Sequence, residues 1–321
     1  METIVMPGAA AATLPIGLGT TLYGDRVPEK DAHRQMGLFL ELGGSVIDTA
    51  RCYGAWAPGG FEGMVEQVVG RWLAQDGHRE RVYLVTKGCH PLPSAMGKMR
   101  VTPEALMADL EQSLRNLKTD HIDLYLLHRD DAERPAEVIL EALERAVAQG
   151  KLLRYGCSNW GRERIARAAD LAKERGWQGF SADEVMWSLA EPNRDQIGDK
   201  TLVLMDDALL RAHRESGLPV MAYTSLAHGY LVRKHAGIPV KEQLEREYGN
   251  ACNERLLRLM AETGADPMTL CLRYITRQSF PSMPLAAFSG EEQLRQAMRA
   301  LQDRSWDEVL ARAAAIREHQ A

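Results

Sequence analysis

Short apolar runs alternate with longer amphipathic segments along the whole chain, and this alternation restricts the fold more than any other feature of the sequence. The runs cover residues 14–20, 45–49, 82–87, 122–128, 152–158, 180–186, 219–224 and 282–288. Several are nearly continuous in Val, Ile, Leu or Tyr, the pattern of strands buried on both faces. Between them, helical spacing marks 28–42, 64–74, 102–117, 135–149, 161–175 and 205–216. Their ends carry matching signals. Thr102-Pro103-Glu104 reads as an N-cap, a first-turn proline and an acidic first turn, and Gly150, Gly176 and Gly217 read as helix stops. Eight strands, each followed by a helix, in 321 residues predict an α/β fold of the (β/α)8 TIM-barrel type, a single domain spanning 1–321. A doubly wound sheet is the alternative, but Gly17-Leu18-Gly19-Thr20 lacks the third glycine and the following helix of a dinucleotide fingerprint. The segment 303–321, with Trp306, Val309, Leu310, Ala313 and Ile316 at helical spacing, is expected as a helix packed outside the barrel.

Charge and cysteine usage narrow the function classes. A net charge of −5 gives no electrostatic reason to expect nucleic acid or an anionic membrane as a partner. The apolar runs are too short and too often interrupted by charge to span a bilayer, and no basic residue precedes the Ala-rich stretch 8–13 as a signal peptide would require. Cys52, Cys89, Cys157, Cys252 and Cys271 are scattered and lack CxxC spacing, so reduced thiols in a cytoplasmic protein are expected, with neither disulfides nor a metal site. Oligomeric state is not readable from the chain.

A barrel of this kind places its chemistry at the C-terminal ends of its strands. Strand two ends at Asp48 with Tyr53 in the next loop, strand three ends at Lys87, and strand four ends at His128. A lone histidine after Leu126-Leu127, or a lone tyrosine beside a glycine, is ordinarily a packing residue. A lysine closing an apolar strand needs a charge partner, and Asp48 on the adjacent strand can supply it. A lysine cation near Tyr53 would lower the phenol's pKa and make it a usable acid, and His128 can donate a hydrogen bond to a carbonyl oxygen. Together the four are suited to protonating an oxygen that becomes negative as hydride reaches carbon.

At these residues the sequence resembles the aldo-keto reductases, over nearly the whole chain and in order. Asp48, Tyr53, Lys87 and His128 match the family's catalytic tetrad. Gly156-Cys157-Ser158-Asn159-Trp160 is similar to its G-x-S-N motif, and Tyr223-Thr224-Ser225-Leu226-Ala227-His228-Gly229-Tyr230-Leu231 to its Y-S-P-L-x-x-G-x-L loop. The resemblance implies a carbonyl reductase with Tyr53 as proton donor and NADP(H) as cofactor, NAD(H) being the alternative. It implies cofactor contacts from Thr20, Thr21, Asp48, Ser158, Asn159, Glu184, Tyr223, Thr224, Ser225, Leu226, Gly229, Ser289 and Gln293.

Two positions depart from that pattern. Glu184 stands where most members have a glutamine for the nicotinamide carboxamide; ionised, it would favour the oxidised, cationic ring. Gly290 stands where many carry a cation for the 2′-phosphate, with Arg295 one turn further on as a substitute. Tyr23, Trp56, His128 and Arg129 are the expected substrate contacts, and together with Tyr230, Asp130 and Asp131 they suit a small polar carbonyl such as a keto-sugar or polyol-related compound. Two rival functions share the barrel: a Schiff-base aldolase using Lys87, disfavoured because Asp48 would keep the lysine protonated, and a non-catalytic cofactor-binding regulatory subunit, disfavoured by the complete tetrad. His128-Arg129-Asp130 imitates a kinase loop, but no phosphate-cradling glycine loop accompanies it.

Overall fold

A computed structural model describes residues 3–75 and 77–318. Eight parallel strands close into a barrel in sequence order: β1 (Gly17–Gly19), β2 (Val46–Asp48), β3 (Tyr83–Gly88), β4 (Ile122–Leu127), β5 (Leu152–Ser158), β6 (Asp183–Met186), β7 (Val220–Tyr223) and β8 (Ser282–Ala286). Closure comes from β1 pairing with β8, Gly17 opposite Leu285 and Leu18 opposite Ala286. Gly17 faces a crowded interior, where a Cβ would lie 2.4 Å from Leu285 Cδ2.

Helices wrap the outside. They are α1 (Glu29–Glu41), α2 (Met64–Leu73), α3 (Pro103–Leu117), α4 (Ala136–Ala148), α5 (Arg162–Arg175), α6 (Asp207–Ser216), α7 (Tyr230–His235), α8 (Glu242–Tyr248), α9 (Ala251–Thr263), α10 (Pro267–Thr276), α11 (Glu291–Gln302) and α12 (Asp307–Glu318). The Thr102 side chain caps α3 by accepting from Ala105 N, and Gly176 and Gly217 end α5 and α6 in the left-handed region, as the sequence predicts. No helix among the described residues is long and apolar enough to cross a membrane.

Several boundaries differ from the sequence pattern, for identifiable reasons. β1 is shorter than 14–20, since Pro15 has no N–H to give a ladder. β6 starts at Asp183 instead of 180, after Gly179 turns the chain with φ +73°. Met205 is outside α6, because its N–H bonds Met186 O at 2.9 Å and Asp206 takes the cap. The C-terminal helix begins at Asp307 rather than 303, packs on α9 and α10 as an outer layer, and is described to Glu318; residues 319–321 of the expected segment lie outside the described residues.

Strand parity explains where the polar groups go. Side chains alternate between the two faces of a strand, so residues two apart share a face. Val46, Val85, Leu124, Leu126, Ala182, Met221, Met283 and Leu285 fill the barrel interior with Met6 and Tyr83. Two residues beyond these apolar positions stand Asp48, Lys87, His128, Glu184 and Tyr223, which makes the top layer of the interior polar. At the other end Ile4 and Thr13 pair, and Tyr83 Oη donates to Pro7 O at 2.8 Å, so the N-terminal segment closes the bottom.

Candidate active site

The polar layer floors a cleft of about 590 Å³ at the C-terminal ends of the strands. Its centre is a buried charge cluster. Lys87 Nζ donates to Asp48 Oδ1 and Oδ2 at 2.6 and 2.7 Å and to Thr49 O at 3.0 Å. Glu184 Oε2 lies 3.2 Å from the same nitrogen but makes no aligned hydrogen bond. Burial would discharge Lys87, yet Asp48 and Glu184 hold its pKa well above the usual lysine value. Burial raises the Glu184 carboxyl to about 8, with Asp48 reinforcing the shift and Lys87 opposing it.

Tyr53 enters from the loop after β2, which is pinned to β3 by Arg51 N donating to Lys87 O at 2.9 Å. Gly54 turns the chain directly behind it with φ +92°. Lys87 Nζ stands 5.3 Å from the Tyr53 ring centroid. The expected lowering of the Tyr53 pKa is corrected: burial pushes the phenol upward, Lys87 pulls against it, and Asp48 and Glu184 add to the rise. Burial outweighs the pull of Lys87, so Tyr53 holds its proton firmly.

The His128 ring meets Tyr53 edge-on at 6.1 Å and His90 at 4.8 Å. Burial, with Arg129 and Lys87 nearby, holds His128 well below the usual imidazole pKa, so the ring is neutral. A protonated phenol and a neutral imidazole beside one another offer a proton and a hydrogen bond to a single oxygen atom.

The residues expected around a cofactor, Thr20, Thr21, Asp48, Ser158, Asn159, Glu184, Tyr223, Thr224, Ser225, Leu226, Gly229, Ser289 and Gln293, all line this cleft. Asn159, itself at φ +60°, accepts from Tyr223 Oη at 2.6 Å and donates to Ser158 Oγ at 3.0 Å. Lys87 lies beneath the floor, fully buried.

The expected substrate contacts divide. His128 and Arg129 line the cleft. Arg129 is already engaged, donating to Thr201 Oγ1 at 2.9 Å, Asp199 Oδ2 at 3.0 Å and His128 O at 2.9 Å. Tyr23 is a correction: it is fully buried in the outer core, and its hydroxyl donates to Gln35 Oε1 of α1 at 3.3 Å. Trp56 lies outside the cleft lining, half-exposed with its ring edge-on to His90 at 5.4 Å. Tyr230 is buried against Tyr248 of α8, and Asp130 is held by Arg164 at 2.9 Å, so neither is free for a ligand.

Arg295 does not reach the cleft lining, whereas Arg26 and Arg233 do. Sequence reasoning missed both. Gly229 and Arg233 are four apart at the start of a helix, which puts them on one face; Arg26 had only its place in the loop after Thr20 and Thr21. A second concavity of about 670 Å³ lies outside the barrel between α10 and α12, but its charges pair internally, as Arg214 with Glu318 and Arg277 with Asp307. No cluster of metal-ligating side chains occurs among the described residues.

The sequence profile of the Aldo/keto reductase family matches residues 15–318. The chain is 30% identical to the uncharacterized oxidoreductase YrpG of Bacillus subtilis, across 89% of this chain and 86% of that protein. It is 30% identical to the aldo-keto reductase yakc [NADP(+)] of Schizosaccharomyces pombe over 60% of this chain and 51% of that one. It is 28% identical to L-glyceraldehyde 3-phosphate reductase of Escherichia coli over 82% and 76%. The protein belongs to the aldo/keto reductase family, and its (β/α)8 barrel is that family's fold.

Proposed function

We propose that this protein reduces a small polar aldehyde or ketone with NADPH, Tyr53 giving the proton. The observation that carries the reading is the meeting of Tyr53 and His128 at the cleft floor directly over the Lys87–Asp48 pair. The residues present fit a nicotinamide cofactor. Glu184 Oε2 is a buried oxygen without a hydrogen-bond partner beside Ser158 and Asn159, where a carboxamide would satisfy it. Thr224, Ser225, Leu226 and Gly229 form a turning segment with positive φ at Thr224 and Gly229, suited to cradling phosphate. Arg26 and Arg233 supply cations on the same wall, and the name of the yakc relative specifies NADP(+).

When bound in this cleft, a reduced nicotinamide would supply the hydride for the carbonyl carbon. His128 donates a hydrogen bond to the carbonyl oxygen and fixes it beside the Tyr53 hydroxyl. Tyr53 passes its proton to that oxygen as negative charge develops, leaving an alcohol. Lys87 then sits next to a phenolate, and its charge stabilises that state until solvent returns the proton. Asp48 keeps Lys87 charged and in place. The same pairing speaks against a Schiff-base aldolase, whose lysine must be neutral to attack.

The name of the glyceraldehyde-phosphate reductase relative supports a small sugar-like aldehyde as substrate. The test is NADPH consumption against a panel of short polar aldehydes and ketones. Tyr53→Phe should lower kcat by a factor of about 100 or more while NADPH still binds. A variant retaining most of the wild-type rate would remove Tyr53 from the mechanism.

A further inference from the structure

We propose that Glu184 is a proton-release site that makes binding of the oxidised cofactor, and not of the reduced one, depend on pH. The inference rests on the reductase reading of the cleft. An ammonium has three N–H bonds. In Lys87 they serve the two oxygens of Asp48 and the carbonyl of Thr49, at 2.6, 2.7 and 3.0 Å. None is left aligned on Glu184, whose Oε2 is buried 3.2 Å away, in charge contact with the ammonium but without a hydrogen-bond partner.

Charge gives the same answer. One ammonium and two ionised carboxylates would leave a net −1 sealed among the tops of β2, β3 and β6, with Lys87, Asp48 and Glu184 all at most 2% exposed. An uncompensated charge in such a place is strongly disfavoured. A single proton removes it, and Glu184, the carboxyl that Lys87 serves less well, is where it resides. The upward shift of Glu184 by burial and by Asp48 agrees. The other titratable groups facing it are Lys87 and Asp48, with Tyr53 from the loop after β2 and Tyr223 from β7; Ser158 at the end of β5 and Asn159 just past it do not titrate.

Glu184 also lines the cleft beside Ser158, Asn159 and Tyr223. An oxidised nicotinamide brings a positive charge there, and a reduced one does not. The cation favours the ionised carboxylate and expels the proton, so by linkage the oxidised cofactor binds more tightly as pH rises. The sign follows from Glu184 being protonated below about 8 in the free protein: the dependence is present below that pH and fades above it. A glutamine at this position would have no proton to lose.

The experiment counts protons. Wild type and Glu184→Gln are saturated at pH 7 with NADP+ and, separately, with NADPH in a weakly buffered indicator solution, and both dissociation constants are followed with pH by tyrosine and tryptophan fluorescence. The 2′-phosphate, titrating near pH ~6, affects both forms alike and cancels in the difference. Wild type should release up to about one proton more with NADP+ than with NADPH, and its NADP+ Kd should tighten towards a limit of about tenfold per pH unit below pH 8, beyond any change for NADPH. Glu184→Gln should show neither difference. Equal release with both cofactors in wild type overturns the proposal, as does a difference that survives in Glu184→Gln. If neither cofactor binds wild type, the reductase reading itself fails and takes the inference with it.

Discussion

His128 can donate from only one ring nitrogen when neutral, so something must decide which one. Cys52 is the neighbour in position to do so: its Sγ lies 3.5 Å from His128 Nδ1, and both groups are buried. Burial raises the Cys52 thiol to about 12, so it keeps its hydrogen and can donate to Nδ1. The ring proton then sits on Nε2, the nitrogen left for a substrate carbonyl. Cys52→Ala should lower kcat/KM by about tenfold, the scale of one modest hydrogen bond, with Cys52→Ser restoring most of it. Nitrogen-15 spectra of His128 give the independent check; a ring that is Nε2-protonated in both wild type and Cys52→Ala would remove Cys52 from this role. The tetrad residues were legible in the sequence because each ends an apolar strand, or follows one closely, at a position that points inward. Cys52 was not, since its contact with His128 joins positions 76 apart, and the ionisation of Glu184 depends on three strands converging on one nitrogen. Tyr23 misled for the converse reason: an aromatic in the loop after β1 looks like a site wall until α1 is seen to bury it.

Strands were easier to read than loops. Runs buried on both faces announce themselves by composition, so all eight strands were recognisable, and their errors lie at the ends, where a proline, a glycine turn or a backbone bond to a loop decides. The helices between β7 and β8 were not separated in advance, although Gly237, Gly249-Asn250 and Gly264 with Asp266-Pro267 mark their junctions. Loops over the cleft take their shape from contacts distant in sequence. Arg129, just past β4, holds the loop between β6 and α6 through Asp199 and Thr201, some 70 residues on. Asp199 and Thr201 are also bonded to each other at 2.6 Å, so the loop presents a preformed acceptor pair. Asp199→Ala should free one arm of Arg129 and loosen the loop. The expected result is a KM several-fold higher with kcat changed little, together with faster proteolytic cleavage between β6 and α6. A fall in kcat with KM unchanged would show that the clasp acts on chemistry instead of substrate capture.

At the scale of the whole barrel, the two ends differ in what they contribute. The top carries a polar layer whose charges are held against solvation, an arrangement kept for what it does to a ligand. The bottom is closed by the N-terminal segment: Met6 is 1% exposed among Val46, Tyr83 and Met283, and the bond from Tyr83 to Pro7 ties the segment down. In barrels of this architecture the bottom face contributes stability and the top face activity. Met6→Ala opens a cavity in a packed interior and should cost about 2–5 kcal/mol, lowering the melting temperature by several degrees. Its effect on kcat/KM, measured well below the melt, should stay within about twofold, because Met6 and the tetrad are separated by the apolar layer of Val46, Val85 and Leu126. Packed interiors transmit strain, so the outcome is informative either way. A matched loss of activity and stability would mean that the polar layer takes its geometry from the bottom plug through that apolar layer, and that the two ends of the barrel are mechanically one site.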